Sequence, residues 1–338
     1  MKRNSNTVLP LKIAAVFSLA GLSFLYFAWP FFRFIVYAGE KKSPERKVNQ
    51  KKWGALKHTS LNHPRNGFEE EYNFTRNWCE KQPMQNWYIN SRDGLNLHAS
   101  YYPVEGAKRF VILCHGYKGT RFGSVAHIAR FLREEKCSLL FIDERCCGES
   151  EGTYITFGAR EQYDILGWVS RLNEENTDNL PIYIYGQSMG ATSALLSSGH
   201  IEDEFKLPKE VKGIIADCGF SSMKKQLRDI ATDWFHLNWI ELLLLRVDLF
   251  CRLFAGFSMK ETDTEEALGN NTRPILYFHG SEDTYVRPQN TAVNYERTRA
   301  PKEMVMINNA RHLCCSYVEP VLYREKISEF FEKYDGTK

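Results

Sequence analysis

Six short apolar runs, most of them separated by stretches of helical spacing, leave this chain few folds to choose from. They are "RFVILCHG" (from Arg109), "CSLLFIDE" (from Cys137), "PIYIYG" (from Pro181), "VKGIIADCGF" (from Val211), "PILYFHG" (from Pro274) and "EMVMINN" (from Glu303). Runs without polar alternation are those of strands buried on both faces. Between them, helical spacing appears from Gly123 to Glu135, from Arg160 to Leu172, from Met189 to Ser198, after Pro288 and after Pro320. Ahead of them, "NWYINSRDGLNLHASYYP" alternates on either side of Asp93-Gly94, the pattern of a hairpin. Strand and helix in turn predict an α/β fold, a mostly parallel twisted sheet with helices on both faces, over residues 84–338.

One stretch breaks the alternation. Between about residues 220 and 270 no strand is signalled, and "NWIELLLLRVDLFCRLFAGF" is heavily apolar. Glu241, Arg246, Asp248 and Arg252 are too closely spaced for a membrane span. A pair of core helices would satisfy the pattern. The favoured expectation is a helical cap, inserted after a sheet strand and covering a pocket at the strand ends.

The N-terminus is a separate object. After a tail of residues 1–12, no charged residue occurs from Ile13 to Phe32, and the apolar character continues to Ala38. About twenty such residues suffice to cross a hydrocarbon core of roughly 30 Å. The run exceeds the roughly 7–15 apolar residues of a signal peptide, and no convincing cleavage site follows. Residues 13–38 are therefore expected to be a single-pass transmembrane anchor in the cell membrane, with Tyr26, Trp29 and Tyr37 as aromatic anchors. Residues 39–83 are expected to be a basic linker and lead-in. Its lysines and arginines favour a cytoplasmic catalytic domain, whereas a short N-terminus before an apolar segment favours export, so the side stays open. Nine cysteines, including Cys146-Cys147 and Cys314-Cys315, do not resemble a disulfide framework. A net charge of +3 without a basic, aromatic-interleaved stripe argues against nucleic acid.

The chemistry is carried by "YIYGQSMGAT". Ser188 stands between Gly186 and Gly190 where an apolar strand hands over to a helix, so a sharp turn would hold its hydroxyl out from the sheet. A serine hydroxyl needs a base to become a nucleophile. Downstream, Asp283 lies in a turn after a strand and His312 in the loop after the last one, the chain order Ser, Asp, His that this architecture uses. The backbone N–H groups of Met189 and Tyr117 are the expected oxyanion donors.

With these residues in view, the chain resembles the α/β-hydrolase superfamily, and within it a bacterial group of membrane-anchored, serine aminopeptidase-like hydrolases. The resemblance runs from about Met84 to Phe331 and rests on "ILCHGY", "FIDERCCGESEG", "YGQSMGAT", "IADCGF", "ILYFHGSEDTYV" and "RHLCCSY" in that order. It implies cofactor-free hydrolysis of a carboxylic ester or related acyl bond of a small molecule. Ser188, Asp283 and His312 would form the triad, with membrane lipid met only through the N-terminal helix. Two positions depart from the pattern. Cys146-Cys147 replaces the usual Gly-His pair, and Arg311 precedes the histidine where a small or acidic residue is usual. Arg311 would perturb His312 or meet an anionic substrate.

Other residues have plainer readings. Asp217 is a rival acid for His312. His115 is expected to be structural, His127 and His279 lack metal-ligand spacing, and Asp143 and Arg145 are expected to brace their loop. The paired cysteines are expected to be small buried thiols rather than a redox switch. A serine peptidase is the alternative enzyme, and a non-catalytic hydrolase-like scaffold is the alternative class.

Overall fold

The computed structural model describes residues 28–41, 67–202, 204–237 and 240–336. The expected tail, the first part of the expected span (residues 13–27) and most of the basic linker lie outside the described residues.

In chain order, residues 28–35 form helix α1 and Tyr37–Lys41 strand β1. Helix α2 (Glu69–Glu80), the hairpin β2 (Gln85–Asn90) and β3 (Asn96–Tyr102), and β4 (Arg109–Cys114) follow. Then come α3 (Ala129–Glu134), β5 (Cys137–Ile142), the short β6 (Gly152–Tyr154), α4 (Glu161–Glu175), β7 (Ile182–Gln187) and α5 (Met189–Ser197). After β8 (Val211–Asp217) the cap region supplies α6 (Met223–Phe235), α7 (Glu241–Phe250), a π-turn at Cys251–Ala255 and α8 (Glu265–Asn270). The chain closes with β9 (Ile275–Gly280), α9 (Gln289–Arg297), β10 (Lys302–Ile307), α10 (Cys315–Val318) and α11 (Pro320–Tyr334).

Eight strands form one sheet in the order β10-β9-β8-β7-β4-β5-β3-β2. β2 and β3 are antiparallel to each other, β3 is antiparallel to β5, and the others run parallel. The uninterrupted apolar runs have a simple cause. Along β4 and β7, Val111, Leu113, Tyr183 and Tyr185 enter the layer beneath α3 and α11, while Ile112, Ile182 and Ile184 enter the layer beneath α4 and α5. Each such side chain, fully buried, is worth about 1.5–3 kcal/mol. Strand order reverses where β4 meets β7, and that switch point opens a crevice at the carboxyl ends of the strands.

A third apolar cluster lies over the crevice, not within the sheet. It joins Leu243, Leu244, Val247 and Phe250 of the cap to Ala28, Phe32 and Val36. The end of the expected span is therefore packed on protein. Ala28, Phe32 and Val36 are fully buried, and β1 pairs antiparallel with β6, Tyr37 opposite Tyr154. Trp29, expected at a lipid interface, packs its ring 5.4 Å from Phe250 and 5.0 Å from Phe254, and Tyr37 lies 5.8 Å from Tyr154. Among the described residues no helix is long and apolar enough to cross a membrane. The cap offers apolar side chains to this segment, so protein takes the place that hydrocarbon was expected to fill. Two smaller expectations also change. α2 occupies part of the stretch read as linker, burying Tyr72, Thr75 and Cys79 on one face. Of the helix expected from Gly123 to Glu135, a 3-10 turn covers Ala126–Ile128 and only Ala129–Glu134 is α-helical.

Candidate active site

Ser188 sits between β7 and α5 with φ 54° and ψ −118°, backbone angles that cost roughly 1–3 kcal/mol for a residue with a side chain. Neighbouring backbone holds it there. Its N–H donates to the Asp217 carbonyl at 2.9 Å, and its carbonyl accepts from the Thr192 N–H at 3.1 Å. The two glycines are required by proximity. A Cβ on Gly186 would lie 2.4 Å from the Gly190 carbonyl oxygen, and one on Gly190 would lie 2.3 Å from that of Cys114. The turn closes only because neither residue has a side chain.

The structure brings the three distant side chains together. The Ser188 hydroxyl lies 3.1 Å from His312 Nε2, and His312 Nδ1 lies 2.7 Å from Asp283 Oδ2. A carboxylate only accepts, so Nδ1 carries the imidazole proton and Nε2 presents its lone pair to the serine. Asp283 is itself fixed: Oδ1 accepts from the N–H groups of Tyr285 and Val286, each at 2.9 Å. His279 Nε2 is 3.2 Å from Oδ2 and 2.8 Å from the Val286 carbonyl, while its Nδ1 pairs with the Thr291 hydroxyl at 2.7 Å. Burial alone would raise the Asp283 carboxyl. Interaction with the His312 imidazole and the hydrogen bonds from both histidines outweigh burial and hold it well below the usual carboxylate range. A carboxylate depressed in this way stabilises the fold above the ordinary aspartate pKa, and that stability is lost as pH falls through the lower folded value.

Of the two amides expected to meet a developing oxyanion, one directly follows Ser188 in the chain and the other follows β4. Met189 opens α5, where the first N–H groups of a helix lack intrahelical acceptors. Tyr117 follows β4, whose end lies beside that of β7. Tyr117 is also held from a direction the sequence did not signal. Its hydroxyl donates to the Ile35 carbonyl at 2.6 Å, and the neighbouring Lys118 ammonium donates to the Phe34 carbonyl at 2.9 Å. The Ile155 N–H donates to the Val36 carbonyl at 2.9 Å. Residues 28–41 thus strap the loop that carries one expected donor. Main-chain carbonyls have no residue signature; the only hint was apolar spacing at 28, 32 and 36.

The remaining candidates separate clearly. Asp217 turns away from His312, accepting instead from Gln187 Nε2 and the Tyr323 hydroxyl, each at 2.9 Å. His115 is buried, with Nε2 accepting from the Glu144 N–H at 3.1 Å and Nδ1 at 2.8 Å from the Gly116 carbonyl, so neither nitrogen is available as a second base. His127 bridges the Ser124 carbonyl and the Tyr185 hydroxyl. Asp143 links His98 Nδ1 and Arg121, and Arg145 reaches Asp93 and Asp164, so both tie the loop after β5 to its surroundings. All nine cysteines are buried thiols outside any disulfide. Burial raises the Cys314 thiol to about 11 despite the opposing charge of Arg311, which leaves it a poor thiolate. Arg311 itself is half-buried beside His312. Among the described residues, the group with metal-ligand spacing is Cys218, Asp283 and His312, with ligand atoms within 4.8 Å of one another. Its carboxylate and imidazole already engage each other.

Comparison with known proteins agrees with this architecture. The sequence model of the family described as serine aminopeptidase, S33, matches residues 105–247, which include Ser188 and much of the cap but neither Asp283 nor His312. The uncharacterised protein YqkD of Bacillus subtilis is 27% identical over 260 residues, spanning 76% of this chain and 82% of its own. An esterase of Pyrococcus furiosus superposes with a TM-score of 0.61 at 24% identity, covering 75% of this chain and 92% of that one. The acylaminoacyl peptidase of Pyrococcus horikoshii gives 0.56 at 15% identity, over 87% of this chain and 45% of that one. Sheet order and these likenesses show that the chain has the α/β-hydrolase fold.

Proposed function

We propose that the protein is a serine hydrolase that cleaves a carboxylic ester or related acyl bond of a small molecule through an acyl-enzyme. The observation that carries the proposal is the continuous contact from Ser188 Oγ through His312 to Asp283, at 3.1 Å and 2.7 Å. As Oγ attacks the acyl carbon, His312 Nε2 takes the hydroxyl proton and Asp283 stabilises the resulting imidazolium. The N–H groups of Tyr117 and Met189 receive the negative charge on the acyl oxygen. The same proton passes to the leaving alcohol. A water molecule, deprotonated by His312, then releases the acid and restores the serine. Met189, Phe157, Phe220 and Val286 belong to the apolar cluster beside the nucleophile, which favours an apolar acyl group. The segment from Ile13 to Phe27, leading into α1, is proposed to attach the protein to the cell membrane.

Serine peptidase activity is the second reading, supported by the description of the matching family. A panel of p-nitrophenyl esters of increasing acyl length, run beside aminoacyl p-nitroanilides, separates the two. Fluorophosphonate labelling at Ser188 that disappears in Ser188→Ala is expected for both, and its absence would favour the non-catalytic scaffold.

A further inference from the structure

Two helical faces meet over the active site, and each shows apolar side chains to the outside. On α7 and the π-turn after it, Leu242, Leu245, Leu249 and Leu253 recur at intervals of three and four, so they share one side of the helix. They are 45%, 60%, 42% and 65% exposed. α1 adds Phe31 and Phe34, 44% and 53% exposed. Trp29 joins the two sets through its contacts with Phe250 and Phe254. The inner sides of both helices, with Phe32, Leu243, Leu244 and Val247, are already buried. A helix that is apolar on both sides is ordinarily covered all round. The nearby acids are spoken for: Glu241 pairs with Arg228 at 2.5 Å and Asp248 with Arg252 at 2.9 Å.

The chain itself indicates what lies against this face. The fifteen residues from Ile13 to Phe27 carry no charge and run directly into Ala28, at the edge of the patch. The geometry points to the headgroup–hydrocarbon boundary of a lipid bilayer as the occupant, with the cap and α1 lying on it and the active site loaded from it. A face of this kind with aromatic and leucine side chains suits that boundary. The inference rests on the hydrolase reading for its consequence, which is that acyl substrates reach Ser188 from the bilayer, not from bulk water.

The test uses the full chain in vesicles of phosphatidylcholine and phosphatidylglycerol. Because the native cysteines are buried, Leu245→Cys, Leu253→Cys and, as a control on α2, Phe74→Cys can each be labelled selectively with bimane. Quenching by doxyl-phosphatidylcholine at 245 and 253 but not at 74 is the expected result. Equal quenching at all three sites, or none, overturns the inference. So does a blue shift at 245 and 253 that depends on protein concentration without lipid, which assigns the face to a second copy of the chain. Activity supplies the second arm. Combined Leu245→Glu, Leu249→Glu and Leu253→Glu is expected to lower hydrolysis of a long-chain ester held in the vesicles roughly tenfold, leaving p-nitrophenyl acetate hydrolysis within about twofold. Equal loss on both substrates counts against it. Fluorophosphonate labelling of Ser188 in the same vesicles keeps the readings apart. Intact labelling without quenching removes the membrane face alone, and absent labelling removes the hydrolase reading whatever the quenching shows.

Discussion

The strand ends and the layer above them are built by different means. Ser188, Asp283 and His312 stand on short turns whose strands are fixed by parallel pairing and by apolar layers on both sides. The cap and the strap of residues 28–41 are held by side-chain packing in one cluster, a two-stranded pairing and a few bonds to carbonyl oxygens. Reactivity and its control are therefore expected to reside in elements of unequal stability. A site on a rigid sheet keeps its geometry, while a layer held by surface packing is free to open locally.

The largest test of this comparison is Ser188→Ala. Ester hydrolysis is expected to fall by about 10⁴–10⁶ in kcat, with thermal stability kept, since the turn depends on glycines and backbone bonds rather than on the hydroxyl. Loss of folding instead would show that the turn is not independent of its serine.

Asp283→Asn is expected to lower kcat by about 10⁴, because the amide no longer fixes the imidazole tautomer. Activity kept in Asp283→Asn would mean that Asp283 does not act on His312.

Two phenylalanines compare the regions directly. Phe141 and Phe32 are both fully buried, one in β5 and one in α1. Phe141→Ala is expected to cost about 3–5 kcal/mol of global stability, read by denaturant unfolding. Phe32→Ala is expected to cost less than about 1 kcal/mol globally, because the strap is released before the sheet. It should lower kcat by up to about a hundredfold with little change in KM, since the Tyr117 amide loses its hold. Equal unfolding costs would place the strap in the core.

The smallest expected effect belongs to Arg311→Gly. Removing this positive charge is expected to slow hydrolysis of an anionic ester by up to about fivefold relative to a neutral one. An unchanged ratio would leave Arg311 without a role in substrate choice.

Much of the site was legible because its residues follow local rules. A serine between two glycines at a strand–helix junction is read from five residues, and an aspartate or histidine after a strand from a few more. Chain order admits Asp217 as well as Asp283, and only the coordinates show Asp217 engaged by Gln187 and Tyr323 while Asp283 meets His312. α2 was missed because its acidic, polar sequence looks like linker, with only Tyr72, Thr75 and Cys79 to reveal a buried face. The packing of residues 28–38 on protein was hidden for a stronger reason. An apolar segment has the same composition whether it is covered by lipid or by protein.

By itself, then, the sequence determined the parallel sheet, the turn that presents Ser188 and the order in which its partners arrive. These depend on periodicity and on steric demands between residues close in the chain. Only the tertiary structure decided where residues 28–41 rest, that Ile35 grips the Tyr117 hydroxyl, and that the outer leucines of α7 lie beside the phenylalanines of α1. Those arrangements join segments more than eighty residues apart through apolar surfaces and carbonyl oxygens, whose partners no local pattern specifies.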